Sequence, residues 1–122
     1  MKAILAALFL FGAISPAVAE GDAAKGEKVF NKCKACHAAD EASNKTGPHL
    51  VGIVGRKMAS VEGYKYSADL VALGEAGSIW DEANLDKYFT NPKDVAPKGK
   101  MAFPGLKKPE ERADLIAYLK TK

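Results

Sequence analysis

The densest chemistry in the chain lies in five consecutive residues, Cys33-Lys34-Ala35-Cys36-His37. These are the chain's 2 cysteines. A disulfide between them would close a very short loop and constrain the unfolded chain little, so their use is chemical rather than structural. C-x-x-C-H is the attachment signature of c-type haem. Two thiols at this spacing share one helical turn, where each can add to a vinyl group on the same edge of a porphyrin. The next residue then places a neutral imidazole beneath the iron. Two other uses of the same residues compete. A thiol–disulfide oxidoreductase also employs C-x-x-C, but it needs the strand–helix pattern of a thioredoxin-like fold, which is missing here. A zinc or copper site built from Cys33, Cys36, His37 and His49 lacks the second ligand pair of a structural zinc site.

A haem iron needs a sixth ligand or an open position, and the choice sets function. His49, Met58 and Met101 are the candidates. His49 follows His37 so closely that a short loop should keep it on the same side of the porphyrin. Met58 lies in Arg56-Lys57-Met58, a charged loop without apolar neighbours to shelter an iron–sulfur bond. Met101 has the length of chain needed to cross the haem. Each lone methionine is also a candidate for core filling.

These residues must be positioned by helices, because no period-2 strand run stands out. A first helix should start after Asp22, a good N-cap, and run through Phe30 towards Cys36. Gly26, Phe30 and Cys33 share its face. A short helix should start at Ser67, carry Leu70, Val71 and Leu73, and end at Gly74. A middle helix is predicted from about Asp81 to Asn91, stopped by Pro92. The last begins at Pro109, with Glu110 and Glu111 in its first turn and a stripe of Leu115, Tyr118 and Leu119 beside Ile116. Residues 38–62 and 91–108 read as loops rich in Gly and Pro. Loops this long in a compact domain need something to organise them, and a large bound group would also complete a thin core.

Residues 1–19 of the 122 read as a secretory signal peptide. Lys2 supplies the positive start, Ala3 to Ile14 the apolar run, and Ala17-Val18-Ala19 the cleavage box, so export to the periplasm with cleavage after Ala19 is expected. The run is short for a membrane span, which needs roughly 20 residues. Residues 20–122 then form one small domain. Of 18 Lys and Arg, one falls in the leader, leaving 17 against 15 Asp and Glu, a net +2. So small a balance excludes a whole-surface grip on nucleic acid.

Beyond the haem box, further motifs follow in order: Gly21-Asp22 with Gly26, Thr46-Gly47-Pro48, Gly52 with Gly55-Arg56-Lys57, Tyr64 to Ser67, Ile79-Trp80, Asn91-Pro92-Lys93, Lys100-Met101-Ala102-Phe103 and Asp114 to Lys120. With them, nearly all of residues 20–122 resembles the small class I cytochromes c of mitochondria and their soluble relatives in alphaproteobacteria. The resemblance implies an all-α class I cytochrome c fold, with three main helices plus short helices and loops wrapped around one covalent haem c. It implies thioethers at Cys33 and Cys36, and His37 and Met101 as the iron ligands. It makes Pro48 the acceptor for the other ring N–H of His37. Arg56, Tyr66 and Trp80 become donors around the buried propionates, Tyr88 the hydroxyl beside the methionine sulfur, and Phe103 the lid at the haem edge. Gly26 and Phe30 become the crossing point with Leu115 and Tyr118. Three departures stand out: His49 where the family often has Asn, Gly99 where it usually has a hydroxyl residue, and a longer stretch from Ser67 to Gly77.

The function implied is one-electron transfer, Fe(III)/Fe(II), by a monomeric carrier rather than an enzyme, since two filled axial positions leave no place for substrate. Its partners would be membrane-bound respiratory or photosynthetic complexes, a bc-type complex and a terminal oxidase or reaction centre. A haem enzyme or ligand-binding sensor is the alternative if Met101 is displaced. Lys32, Lys34, Lys45, Lys93, Lys98, Lys100, Lys107 and Lys108 crowd segments expected to rim the haem edge and would meet acidic docking faces. Glu75, Asp81, Glu82 and Asp86 should lie further away.

Overall fold

The computed structural model describes residues 21–122; the leader and its cleavage site fall outside the described residues. Five helices follow one another: α1 (Ala23–Phe30), α2 (Ala68–Glu75), α3 (Glu82–Thr90), α4 (Pro92–Val95) and α5 (Pro109–Leu119). Among the described residues there is no strand, and one isolated antiparallel bridge joins Lys57 to Ile79.

The helix ends follow from their caps. The Asp22 carboxylate accepts from the N–H groups of Ala24 at 2.8 Å and Lys25 at 3.2 Å, satisfying two donors that a helix start leaves unpaired. The Asp22 N–H itself donates to Asp114 on α5 at 2.7 Å, so one residue both opens α1 and ties it to the last helix. The two helices cross at Gly26, where a Cβ would overlap the Asp114 carbonyl oxygen and lie 2.8 Å from the Tyr118 Cβ. The missing side chain permits that approach. One turn on, the Phe30 and Tyr118 rings stand 5.4 Å apart. Leu115 and Leu119, each 1% exposed, bury the stripe of α5 against this junction. Each contributes about 1.5–3 kcal/mol of transfer free energy.

The first helix stops at Phe30 and does not run on to Cys36. Overlapping turns replace it, held by Lys34 N–H to Phe30 O at 3.2 Å and His37 N–H to Cys33 O at 2.9 Å. The thiols therefore ride on turns just beyond a helix. At α2, Ser67 gives no side-chain cap. At α3, Asp81 caps the Asn84 N–H at 2.8 Å.

Two expectations need correcting. Residues 91–108 are not wholly irregular: Asn91 ends α3 and at once caps α4, accepting from the Lys93 N–H at 3.2 Å, with Pro92 in the first turn. One turn of helix carries too little periodic pattern to be read from sequence. Nor is Met58 in an unsheltered charged loop; it is 3% exposed and part of the main core. Its segment pairs edge-to-edge with residues 78–80, through Met58 N–H to Ser78 O at 3.0 Å and Trp80 N–H to Arg56 O at 2.8 Å. Extended pairing alternates side chains. Lys57 is exposed while Met58 is buried.

Candidate haem site

The site is built on the turns after α1. Cys33 and Cys36 are not joined to each other. Burial and the neighbouring Cys36 push the Cys33 thiol up to about 11, the opposite of the activated thiolate an oxidoreductase needs. His37 Nδ1 lies 2.7 Å from the Pro48 carbonyl oxygen. A carbonyl can only accept, so Nδ1 carries the hydrogen and Nε2 keeps its lone pair for a metal. Burial also lowers the His37 pKa, which keeps the ring neutral. The loop that supplies Pro48 is fastened by Gly47 N–H to Cys36 O at 2.8 Å and Leu50 N–H to Ala38 O at 2.7 Å. A Cβ on Gly47 would sit 2.7 Å from His37 Nδ1 and 2.8 Å from Nε2, so the glycine backbone is a wall against the imidazole.

Beside this, Arg56 Nη1 donates to His49 O at 3.0 Å and Val51 O at 3.2 Å. Its Nε is buried and has no partner among the described residues. His49 itself is engaged locally, its Nδ1 accepting from the Val51 N–H at 3.3 Å. Tyr66 accepts from the Val61 N–H at 3.1 Å, and burial raises its pKa. Its ring meets that of Tyr64 at 4.9 Å. The Trp80 and Tyr88 rings also stand 4.9 Å apart, and burial pushes Tyr88 up to about 12. Cys33, Tyr88 and Phe103, partly buried, pack against the core that contains Trp80. Met101 is half-buried on the segment between α4 and α5 and makes no hydrogen bond among the described residues. No group of three or more His, Cys, Asp or Glu able to hold a metal ion comes together among the described residues.

The family model for cytochrome c matches residues 23–122. The chain belongs to the cytochrome c family. It is 54% identical over 104 residues to cytochrome c-554 of Methylosinus trichosporium, covering 84% of this chain and 76% of that protein. It is 49% identical over 106 residues to cytochrome c2 of Rhodomicrobium vannielii, covering 86% and 82%. Among solved structures, cytochrome cH from Methylobacterium extorquens superposes with a TM-score of 0.75 at 46% identity, covering 84% of this chain and 100% of that one. Cytochrome c2 from Rhodospirillum centenum gives 0.77 at 38%, covering 83% and 98%. The fold is the mostly helical class I cytochrome c fold. Members of the family are electron carriers that bind haem c covalently, and Cys33, Cys36 and His37 form the attachment arrangement.

The residues around the site fit such a group. A buried guanidinium nitrogen without a partner is costly unless something negative faces it. The Arg56 Nε meets that description, and the carboxylate of a haem propionate is the matching acceptor. Sequence reasoning missed Asp69, which bonds to the segment carrying Met101. Its acidic side chain in the first turn of α2 is visible in the sequence but reads only as a favourable charge at a helix start.

Proposed function

We propose that residues 20–122 form the mature periplasmic protein, a monomeric one-electron carrier between membrane-bound respiratory or photosynthetic complexes, and not an enzyme. The observation that carries the reading is the His37 imidazole. Pro48 fixes its Nδ1 at 2.7 Å, and its free nitrogen follows directly on two unpaired cysteines. Cys33 and Cys36 would hold the group by thioethers, and His37 and Met101 would ligate its iron. When bound, haem c supplies the Fe(III)/Fe(II) couple. Pro48 keeps the imidazole in one tautomer. The soft thioether of Met101 favours Fe(II), which raises the potential. Arg56, Tyr66 and Trp80 would donate towards the haem propionates, Tyr88 would serve the methionine sulfur, and Phe103 would cover the haem edge.

The eight lysines named for docking are all exposed. Lys32 pairs with Glu111 at 3.8 Å, and Lys93 donates to the Gly99 carbonyl. Of the acids placed further off, Asp86 is neutralised by Arg112 at 2.7 Å and Glu82 by Lys120. The exposure of these lysines supports steering onto an acidic partner, a gain of about 10 to 10³ in association rate that salt removes. No helix among the described residues is long and apolar enough to cross a membrane.

Spectroscopy of the purified protein, with and without reductant, tests the ligand set. A low-spin six-coordinate iron with a methionine–iron charge-transfer band is expected, lost in Met101→Ala and retained in Met58→Ala. The reverse pattern overturns the assignment. Docking is tested by Lys100→Glu, which should slow electron transfer to an acidic partner and flatten its salt dependence, while Lys87→Glu does little. Lys100 is the cleaner probe, because Lys93→Glu also removes the bond to Gly99.

A further inference from the structure

Residues 97–104 carry Met101, and among the described residues one hydrogen bond links them to chain outside 91–106. The Lys98 N–H donates to Asp69 Oδ2 at 2.6 Å, across 29 residues of sequence. Their other bonds are local: Gly99 N–H to Ala96 O at 2.9 Å, and the Lys93 ammonium to Gly99 O. Asp69 is fixed at its own end. Its Oδ1 accepts from the Ser67 hydroxyl at 2.5 Å and from the Leu70 N–H at 3.0 Å, which locks the carboxylate onto the first turn of α2. The Ser67 hydroxyl donates to this carboxylate and caps no helix N–H. Three donors therefore converge on one acceptor-only group, and Oδ2 is left for the methionine segment. An ionised acceptor makes a shorter and stronger bond than a neutral one.

We propose that Asp69 is a positioning residue for the axial methionine: by holding the Lys98 amide against α2, it limits how far the segment bearing Met101 can swing from the iron. The proposal rests on Met101 being the sixth ligand. It adds that α2, which contributes no residue to the ligand set, sets how often that ligand is released. An external ligand reaches the iron only in the released state, so its apparent affinity scales with the fraction released.

The test uses the haem-loaded protein, imidazole as the external ligand, and hydrogen exchange at the Lys98 amide. Asp69→Ala should bind imidazole about five- to tenfold tighter and exchange the Lys98 amide faster by a similar factor. Asp69→Asn keeps the shape and an acceptor oxygen but not the charge, and should fall between. Glu75→Gln, at the far end of the same helix, makes the same charge change without the bond and should match the parent. Unchanged imidazole affinity and Lys98 exchange in both Asp69 variants overturn the proposal. So does loss of protection throughout α2 in Asp69→Asn, since the effect would then be helix melting. If Met101→Ala leaves the methionine–iron band intact, the ligand assignment has failed instead, and that result does not depend on Asp69.

Discussion

Residues 33–50 and residues 96–106 carry the two side chains assigned to the iron, and they are held in different ways. The histidine segment is closed on itself. Gly47 N–H reaches Cys36 O at 2.8 Å, Leu50 N–H reaches Ala38 O at 2.7 Å, and His37 Nδ1 meets Pro48 O at 2.7 Å. Asn44 adds a side-chain bond back to the His49 N–H at 3.1 Å, and Arg56 clamps His49 O from outside. The methionine segment ends firmly, with the Leu106 N–H on Phe89 O at 2.6 Å and Arg112 on Leu106 O at 2.8 Å. Upstream of Leu106 it depends on Asp69, on the Lys93 ammonium and on the local turn from Gly99 N–H to Ala96 O. One proposed iron ligand therefore sits in a cradle formed by the backbone, while the other hangs on a strap. Local opening free energies follow such differences in bonding, so the proposed ligand set predicts ligand exchange on the methionine side.

The sharpest break in this contrast is to remove attachment on one side and ligation on the other. Replacing both Cys33 and Cys36 by Ser should let acid–acetone extract the haem completely. Met101→Ala should leave every haem covalently attached, with a lowered potential and an open sixth position. Mass spectrometry of the denatured protein checks the first outcome and a redox titration the second. A smaller but more local effect is expected at two glycines. Gly47→Ala drives a methyl group into the His37 ring, with its Cβ only 2.7 Å from Nδ1. Overpacking of this kind costs about 1–3 kcal/mol, a drop of roughly 4–8 °C in Tm per kcal/mol for a domain of this size. Gly99→Ala meets Ala96, its carbonyl oxygen at 3.0 Å and its Cβ at 3.5 Å, and the Gly99 φ is not left-handed. It should change stability by less than about 1 kcal/mol, since a stiffer unfolded chain offsets the contact. Equal melting shifts at the two glycines would show that the segments are held alike.

Much of the histidine side was legible in the sequence because its determinants are local. Asp22 caps α1 as its residue type demands, and Pro109 opens α5. The C-x-x-C-H run needs no tertiary context to suggest its chemistry, whereas the Pro48 contact to His37, 11 residues on, came only with the family resemblance. What escaped reading depends on long-range pairing. Met58 is flanked by Arg56 and Lys57, and only its ladder to residues 78–80 turns it inward. The neighbouring Gly74 permits this, since a Cβ there would overlap the Met58 carbonyl. Asp69 likewise acquires its role only when α2 is laid beside Lys98. Nothing in the hydrophobic period of either segment signals that approach.

The smallest expected effect is also the most specific to the strap. The Ser67 hydroxyl, then the Lys98 and Leu70 N–H groups, hold the Asp69 carboxyl below the ordinary carboxylate range. Release of the segment removes the Lys98 bond alone; the Ser67 and Leu70 bonds stay, so the group then rises only part of the way towards the ordinary carboxylate value. A group whose folded value is depressed stabilises the folded arrangement fully above its released value and loses that contribution as pH falls through its folded value. The hold on Lys98 should therefore be complete above the ordinary carboxylate range and weaken as the pH falls below it. The change should be modest, because the carboxylate faces solvent. The cradle around His37 is built mainly from backbone amides and carbonyls, which do not titrate in this range, so the amides of Gly47 and Leu50 should keep their protection. Hydrogen-exchange protection measured between pH 5 and pH 3 should then fall first at Lys98, and Asp69→Asn should abolish that step while leaving the later global acid transition in place. Simultaneous loss at Lys98, Gly47 and Leu50, unchanged in Asp69→Asn, would mean that the two sides of the site open as one cooperative unit.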